Sequence, residues 1–212
     1  LGRDVVAGEV FRLHRGDLPA GLSFPNGVAV DTETMGLRLR RDPLCVIQLS
    51  AGDGDAHVVQ LDRATYDAPN LKALLSDPSV VKIFHFGRFD LSMIQLHLGV
   101  ICAPVYCTKI ASRLARTYTD RHGLKDLTKE VLGYDLKKEQ QSSDWGAATL
   151  SDAQLAYAAS DVLHLHDLRT KLDAMLEREG RRKLAQACFE FLPHRASLDL
   201  AGWAEEDIFA HS

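Results

Sequence analysis

Three β-rich runs crowd the first third of the chain, and any fold must pair them: residues 28–31 after the turn signal Asn26-Gly27, residues 44–50, and residues 57–61. The Gly52-Asp53-Gly54-Asp55 stretch between the last two reads as a hairpin turn. The pattern then changes. Asn70 is placed to cap a short helix through Leu75, residues 80–86 form a fourth, largely apolar strand, and a helix over residues 89–98 stops at Gly99. Residues 105–108 give a fifth strand, followed by helices over 109–116 and 124–132, the second closed by Gly133. Ser151-Asp152-Ala153-Gln154 matches a capping box, so a long helix is expected from there, bearing Tyr157 and Asp161. The loop 134–146 is polar, and the tail after Pro193 is expected to be irregular. A β-rich first half and a helical second half, with no repeat, low-complexity tract or linker, predict one mixed α/β unit over residues 1–212.

Composition bounds the function. At 212 residues, 46% hydrophobic and 25% charged, the chain is sized for one domain with a sizeable core. It shows no charged-then-apolar leader and no apolar run near the roughly 18 residues of a membrane span, which predicts a soluble, cytoplasmic protein without a membrane partner. Cys45, Cys102, Cys107 and Cys188 form no Cys-x-x-Cys pair and read as reduced thiols. Twenty-five Lys plus Arg against 29 Asp plus Glu leave a net charge of −4, whereas proteins that grip long nucleic acid by neutralising many phosphates are usually basic. A nucleic-acid substrate would therefore be held over a short stretch.

The chemistry concentrates in acidic residues at element ends. Asp31-Thr32-Glu33 closes an apolar strand, and strand alternation puts both carboxylates on one face, a platform for a hard cation; alone, the triplet reads first as solvated surface charge. Asp90 follows the fourth strand at a strand-to-helix junction, as a third carboxylate or as a helix cap. Tyr157 and Asp161, four apart on a helix, address one point; a packed Tyr beside a solvated Asp is the alternative. Oxygen-only ligands suit Mg²⁺ or Mn²⁺, and paired cations clamp the attacking and leaving oxygens of a phosphodiester while a phenol orients water.

Asp-x-Glu, a later Asp after a strand and then Tyr-x-x-x-Asp, in that order, resemble the DEDD exonucleases of the Tyr subtype, which include ribonuclease D and polymerase proofreading domains. Residues 107–116 (CTKIASRLAR), 122–127 (HGLKDL), 140–145 (QQSSDW) and 155–166 (LAYAASDVLHLH) are similar to ribonuclease D. Two features depart from it: the helical nucleic-acid-binding domains that follow its nuclease domain have no counterpart here, and Phe86 stands where many relatives carry Asn. With Phe86, the Gln140-Gln141-Ser142-Ser143 loop and the ending LDLAGWAEEDIFAHS, the chain resembles the nanoRNase C group, bacterial nucleases of very short RNAs. The resemblance implies a ribonuclease H-like sheet and two divalent cations. Asp31, Glu33 and Asp161 would hold one, and Asp31 with water-mediated help from Asp90 the other. It further implies a base wedge at Leu37 and a ring-like homo-octamer.

Thr32, Leu37, His85 and Phe86 are expected beside the substrate, His85 either stacking on a base or filling the core. Lys138, Gln141, Ser142 and Ser143 are candidates for a terminal 5′-phosphate, which hydroxyls, amides and a lysine can bind. Arg38, Arg40, Arg41, Lys125 and Lys137 are solvated charges or phosphate contacts. His164 and His166, two apart on a helix, point in different directions and do not suit joint zinc ligation; no Gly-rich phosphate loop is present. The expectation is 3′-to-5′ hydrolysis of short RNA, dinucleotides in particular, releasing 5′-mononucleotides. The alternatives are processing of longer structured RNA or DNA 3′ ends, and a nucleic-acid-binding scaffold without activity.

Overall fold

Seven strands form one mixed sheet in the computed structural model, which describes residues 4–6, 9–137 and 139–211. In chain order the strands are β1 (Asp4–Val6), β2 (Glu9–Arg15), β3 (Val28–Thr34), β4 (Leu44–Ser50), β5 (Asp55–Gln60), β6 (Lys82–Phe84) and β7 (Val105–Cys107). Their spatial order is β1-β2-β5-β4-β3-β6-β7. β3, β4 and β5 form an antiparallel meander; β6 and β7 add parallel to β3, and β2 adds parallel to β5. The helices are α1 (Pro69–Ser76), α2 (Gly87–Leu98), α3 (Thr108–Ala115), α4 (Leu124–Leu132), α5 (Asp152–Ser160), α6 (Leu165–Arg178) and α7 (Arg182–Leu198). The architecture is α/β, a mixed central sheet flanked by helices.

Burial explains the central strands. All seven residues of β4 are buried, as a strand covered on both faces must be, and β3 buries its apolar start, Val28, Ala29 and Val30. α2 packs on β3 and β4, α5 on β2, β4 and β5, and α7 on β7 and α2. A β-bulge shifts the register between Glu33 and Thr34; the β3–β4 pairing then ends with Thr34 opposite Leu44, and the chain turns into the loop 35–42. None of the helices among the described residues is long and apolar enough to cross a membrane.

The expected β4 and α4 match the observed ones, and Gly99 and Gly133 close α2 and α4 in the left-handed region, at φ 68 and 72°. Other elements differ. The fourth strand is confined to Lys82–Phe84, and β1 and β2 fall outside the expected set. Asn70 does not cap α1: it lies inside the helix, and its side-chain amide donates to the Leu18 carbonyl at 2.9 Å. The free amides at the helix start are taken instead by the Asp17 carboxylate, which accepts from Asn70 N at 2.9 Å and from Leu71 N at 2.8 Å.

The capping box at Ser151 is present, but α5 ends at Ser160 instead of running on. There the Ser160 hydroxyl donates to the Tyr157 carbonyl at 2.7 Å, offering the backbone an alternative to the next helical bond. The tail after Pro193 is helical to Leu198, because burial of Phe189, Leu192 and Ala196 outweighs the amide that proline lacks. All four cysteines are free thiols.

Because Asp17 alone satisfies two amides of α1, Asp17→Ala is expected to cost about 1–2 kcal/mol, the range for a lost helix cap, and Asp17→Asn clearly less. Urea denaturation of the two variants checks this.

Candidate active site

Three elements meet where β3 ends. Strand alternation sends Asp31 and Glu33 to one face, and the last turn of α5 brings Asp161 to them from its C-terminal cap. One carboxylate oxygen from each of the three lies within 4.8 Å of the others, close enough to share a single cation. Asp90 comes from the first turn of α2, buried, and accepts a short hydrogen bond from the Thr32 hydroxyl. It is not the cap of that helix, since Phe86 holds the cap position.

The electrostatics of this arrangement are adverse without a cation. Burial, then the charges of Asp90, Asp161 and Glu33, push the Asp31 carboxyl well above its ordinary range; burial, then Asp161 and Asp90, do the same to Glu33. Asp90 is raised by burial and partly restored by its Thr32 bond. Tyr157 projects from α5 with its ring 6.0 Å from that of Trp145. Burial, then Asp161 and the other acids, hold its phenol protonated, with a side-chain hydrogen bond to Asp161 adding to the effect.

Sequence reasoning missed Gln48, whose side-chain amide donates to Asp31 Oδ2 and to Glu33 Oε1, each at 3.3 Å. The available signal was an amide within an otherwise largely apolar buried strand. It also missed Lys109, whose Nζ sits 4.5 Å from the centre of the Phe86 ring.

A cleft of about 890 Å³ opens over the carboxylates. It is lined by Asp31, Thr32, Glu33, Asp90, Tyr157 and Asp161 at its base, by Leu37, His85 and Phe86, and by Gln141, Ser142 and Ser143. Lys109, Lys125 and Lys137 supply its positive charge, while Lys138 lies outside the described residues. Leu37 is 81% exposed and Phe86 50%, the latter held at φ 57°, which is uncommon for a bulky side chain. Asp42 sets the loop under Leu37 by accepting from Arg38 N at 2.9 Å, and Gly36 leaves room for that carboxylate. His85 bonds the Thr108 hydroxyl at 2.9 Å and is pushed down to about 3 by burial and by Lys109, so it is neutral. Arg40 and Arg41 are engaged elsewhere, by the Leu200 carbonyl at 2.6 Å and by Asp42. His166 bonds the Gly27 carbonyl at 3.0 Å and His164 packs at a tilt against Tyr134, ring centres 4.3 Å apart, so the two share no ligand point.

Residues 20–177 match the model of the family described as 3'-5' exonuclease. The chain belongs to that family. Ribonuclease D of Gluconacetobacter diazotrophicus is 39% identical over 154 residues, 73% of this chain. This exonuclease chain spans about two fifths of that relative's length, at 39%. NrnC of Brucella melitensis with bound Mg²⁺ superposes with a TM-score of 0.91 at 57% identity, covering 95% of this chain and 99% of that one. NrnC bound to pGG gives 0.92 at 58%, covering 95% and 98%. RNase D of Escherichia coli, an exoribonuclease involved in structured RNA processing, gives 0.71 at 29%, covering 82% and 45%. The sheet is thus that of the ribonuclease H-like exonucleases.

Raised carboxyls let the metal-free folded state keep protons that the unfolded chain has released above about pH 4, so its stability falls as pH rises past that value. A cation that displaces those protons gains with pH. The rise in melting temperature on adding Mg²⁺ is therefore expected to be larger at about pH 8 than at about pH 6 in scanning calorimetry.

Proposed function

We propose that this chain is a metal-dependent 3′-to-5′ exoribonuclease that releases 5′-mononucleotides and favours very short RNAs, dinucleotides above all. The observation that carries the reading is the meeting of Asp31, Glu33 and Asp161 within 4.8 Å, with Tyr157 bonded to the last of them. Three half-buried, crowded carboxylates suit a hard divalent cation, Mg²⁺ or Mn²⁺. Asp31, Glu33 and Asp161 would hold one, and Asp31 with Asp90 a second. Bound there, such ions supply charge to offset that of the phosphate and a water acidic enough to attack near neutral pH.

The protein's own groups do the rest. Tyr157, kept protonated, orients the attacking water by hydrogen bonding and is unsuited to act as a base. Thr32 fixes Asp90 through its hydroxyl. Leu37 wedges at the terminal bases, while Phe86 and neutral His85 offer faces for stacking. Lys137, Gln141, Ser142 and Ser143 line the same cleft and, with Lys138 assigned there by sequence, would meet a terminal 5′-phosphate, which an internal phosphodiester does not present. That NrnC of Brucella melitensis is found bound to pGG supports the reading. We extend the reading to cytoplasmic action as a homo-oligomer, an octamer by resemblance, supported by exposed apolar groups such as Phe209, which is 77% exposed.

Tyr157→Phe is expected to lower kcat by about two to four orders of magnitude with the fold intact, the range of proton-handling groups; stopped-flow or quenched assays on labelled RNA measure it, and a change within about twofold leaves Tyr157 a packing residue.

Two or three charge-assisted bonds to a 5′-phosphate, at about 1.5 kcal/mol each, give a preference on the order of a hundredfold. A 5′-phosphorylated dinucleotide should therefore exceed a longer RNA of about ten residues in kcat/KM by that factor, in a reaction that needs Mg²⁺ or Mn²⁺ and stops with chelator. Equal efficiencies would favour the processing of longer ends; binding without shortening would favour a scaffold.

A further inference from the structure

Gln48 lies fully buried on β4, directly across the sheet from Asp31. Its Nε2 donates to Asp31 Oδ2 and to Glu33 Oε1, both at 3.3 Å, one hydrogen for each. In the ionised state that binds a cation, the reverse orientation would set the amide oxygen against two carboxylates, so that state requires the orientation seen here. The opposite atom, Oε1, is buried and without a hydrogen-bond partner among the described residues. A half-satisfied amide in a core is a cost that a Met or Leu of similar volume would avoid. Something other than packing therefore accounts for Gln48.

We propose that Gln48 is a positioning residue for cation binding: its amide bridges Asp31 and Glu33 and holds the two carboxylates side by side, ready for the ion they share with Asp161. A donor shared by the two carboxyls holds them side by side before a cation arrives, so less reorganisation is left for the binding step. This inference rests on the metal-dependent reading above.

Gln48→Met keeps the volume and removes both donors; Gln48→Asn keeps an amide but withdraws it by one methylene. Mn²⁺ binding to the RNA-free proteins, followed by electron paramagnetic resonance or calorimetry, separates positioning from packing. Both variants are expected to bind Mn²⁺ about 10- to 100-fold more weakly than wild type. The Met variant should melt no lower than wild type in the absence of metal, and its nuclease rate should climb back towards wild type as Mn²⁺ is raised. Should the Met variant not fold, the Asn variant decides. Wild-type Mn²⁺ affinity in a folded variant overturns the proposal, whatever the nuclease activity. A wild-type chain that binds no Mn²⁺ at all overturns both the proposal and the reading beneath it.

Discussion

Repulsion among four acidic side chains is the constraint on which the arrangement around the cleft depends. Asp31, Glu33, Asp90 and Asp161 come from β3, α2 and the end of α5, and desolvation together with their mutual charge disfavours the ionised form of those from β3. A chain free to relax would spread them into water. They stay together because each is fixed to an element secured elsewhere: β3 by strands on both sides, α2 by its contact with α7, and α5 by its capping box. Asp161 sits at a helix C-terminus, where a negative charge also opposes the helix dipole. An arrangement adverse in so many respects is expected where a cation restores the balance.

The sheet topology makes that convergence possible. β3 runs antiparallel to β4 and parallel to β6, so the chain leaving β6 enters α2 and delivers Asp90 within one helical turn. Phe86, at the junction, adopts a left-handed backbone that a bulky residue takes up at a cost, and its ring is left half exposed at the cleft. On the other side, the register shifts after Glu33, pairing stops one residue later at Thr34, and the chain enters the loop that presents Leu37. The two exposed apolar groups thus flank the acids because the backbone departs from regular geometry on either side of them.

What the sequence made legible was short-range. Strand alternation relates Asp31 to Glu33, helical spacing relates Tyr157 to Asp161, and both relations survive in the structure. What it hid was long-range. Asp17 caps a helix that begins more than fifty residues later, and nothing local to Asn70 or Asp17 announces that bond. Gln48 reaches Asp31 only through the β3–β4 register, which no single strand contains. Pro193 misled for the opposite reason: a strong local signal for interruption is overridden by burial of the helix face around it.

Electrostatics decides how much substrate such a cleft can hold. Of the basic residues that follow β3, Arg40 and Arg41 are spent on Leu200 and Asp42, and Arg88 beside the cleft is held by Asp199 at 2.7 Å. The described lysines that line the cleft are Lys109, Lys125 and Lys137, and the first of these rests on the Phe86 ring. A long phosphate track gains affinity through many released counterions, and a chain of net charge −4 whose cleft is lined by three described lysines offers little of that gain. On the proposed reading, binding would come instead from a small area of high quality: the acids with their cations, apolar faces at Leu37 and Phe86, and polar groups at the loop. Each of these would touch only the ends of a strand of RNA. In a dinucleotide the two ends are adjacent, so all of these contacts would form at once without ordering any further nucleotides.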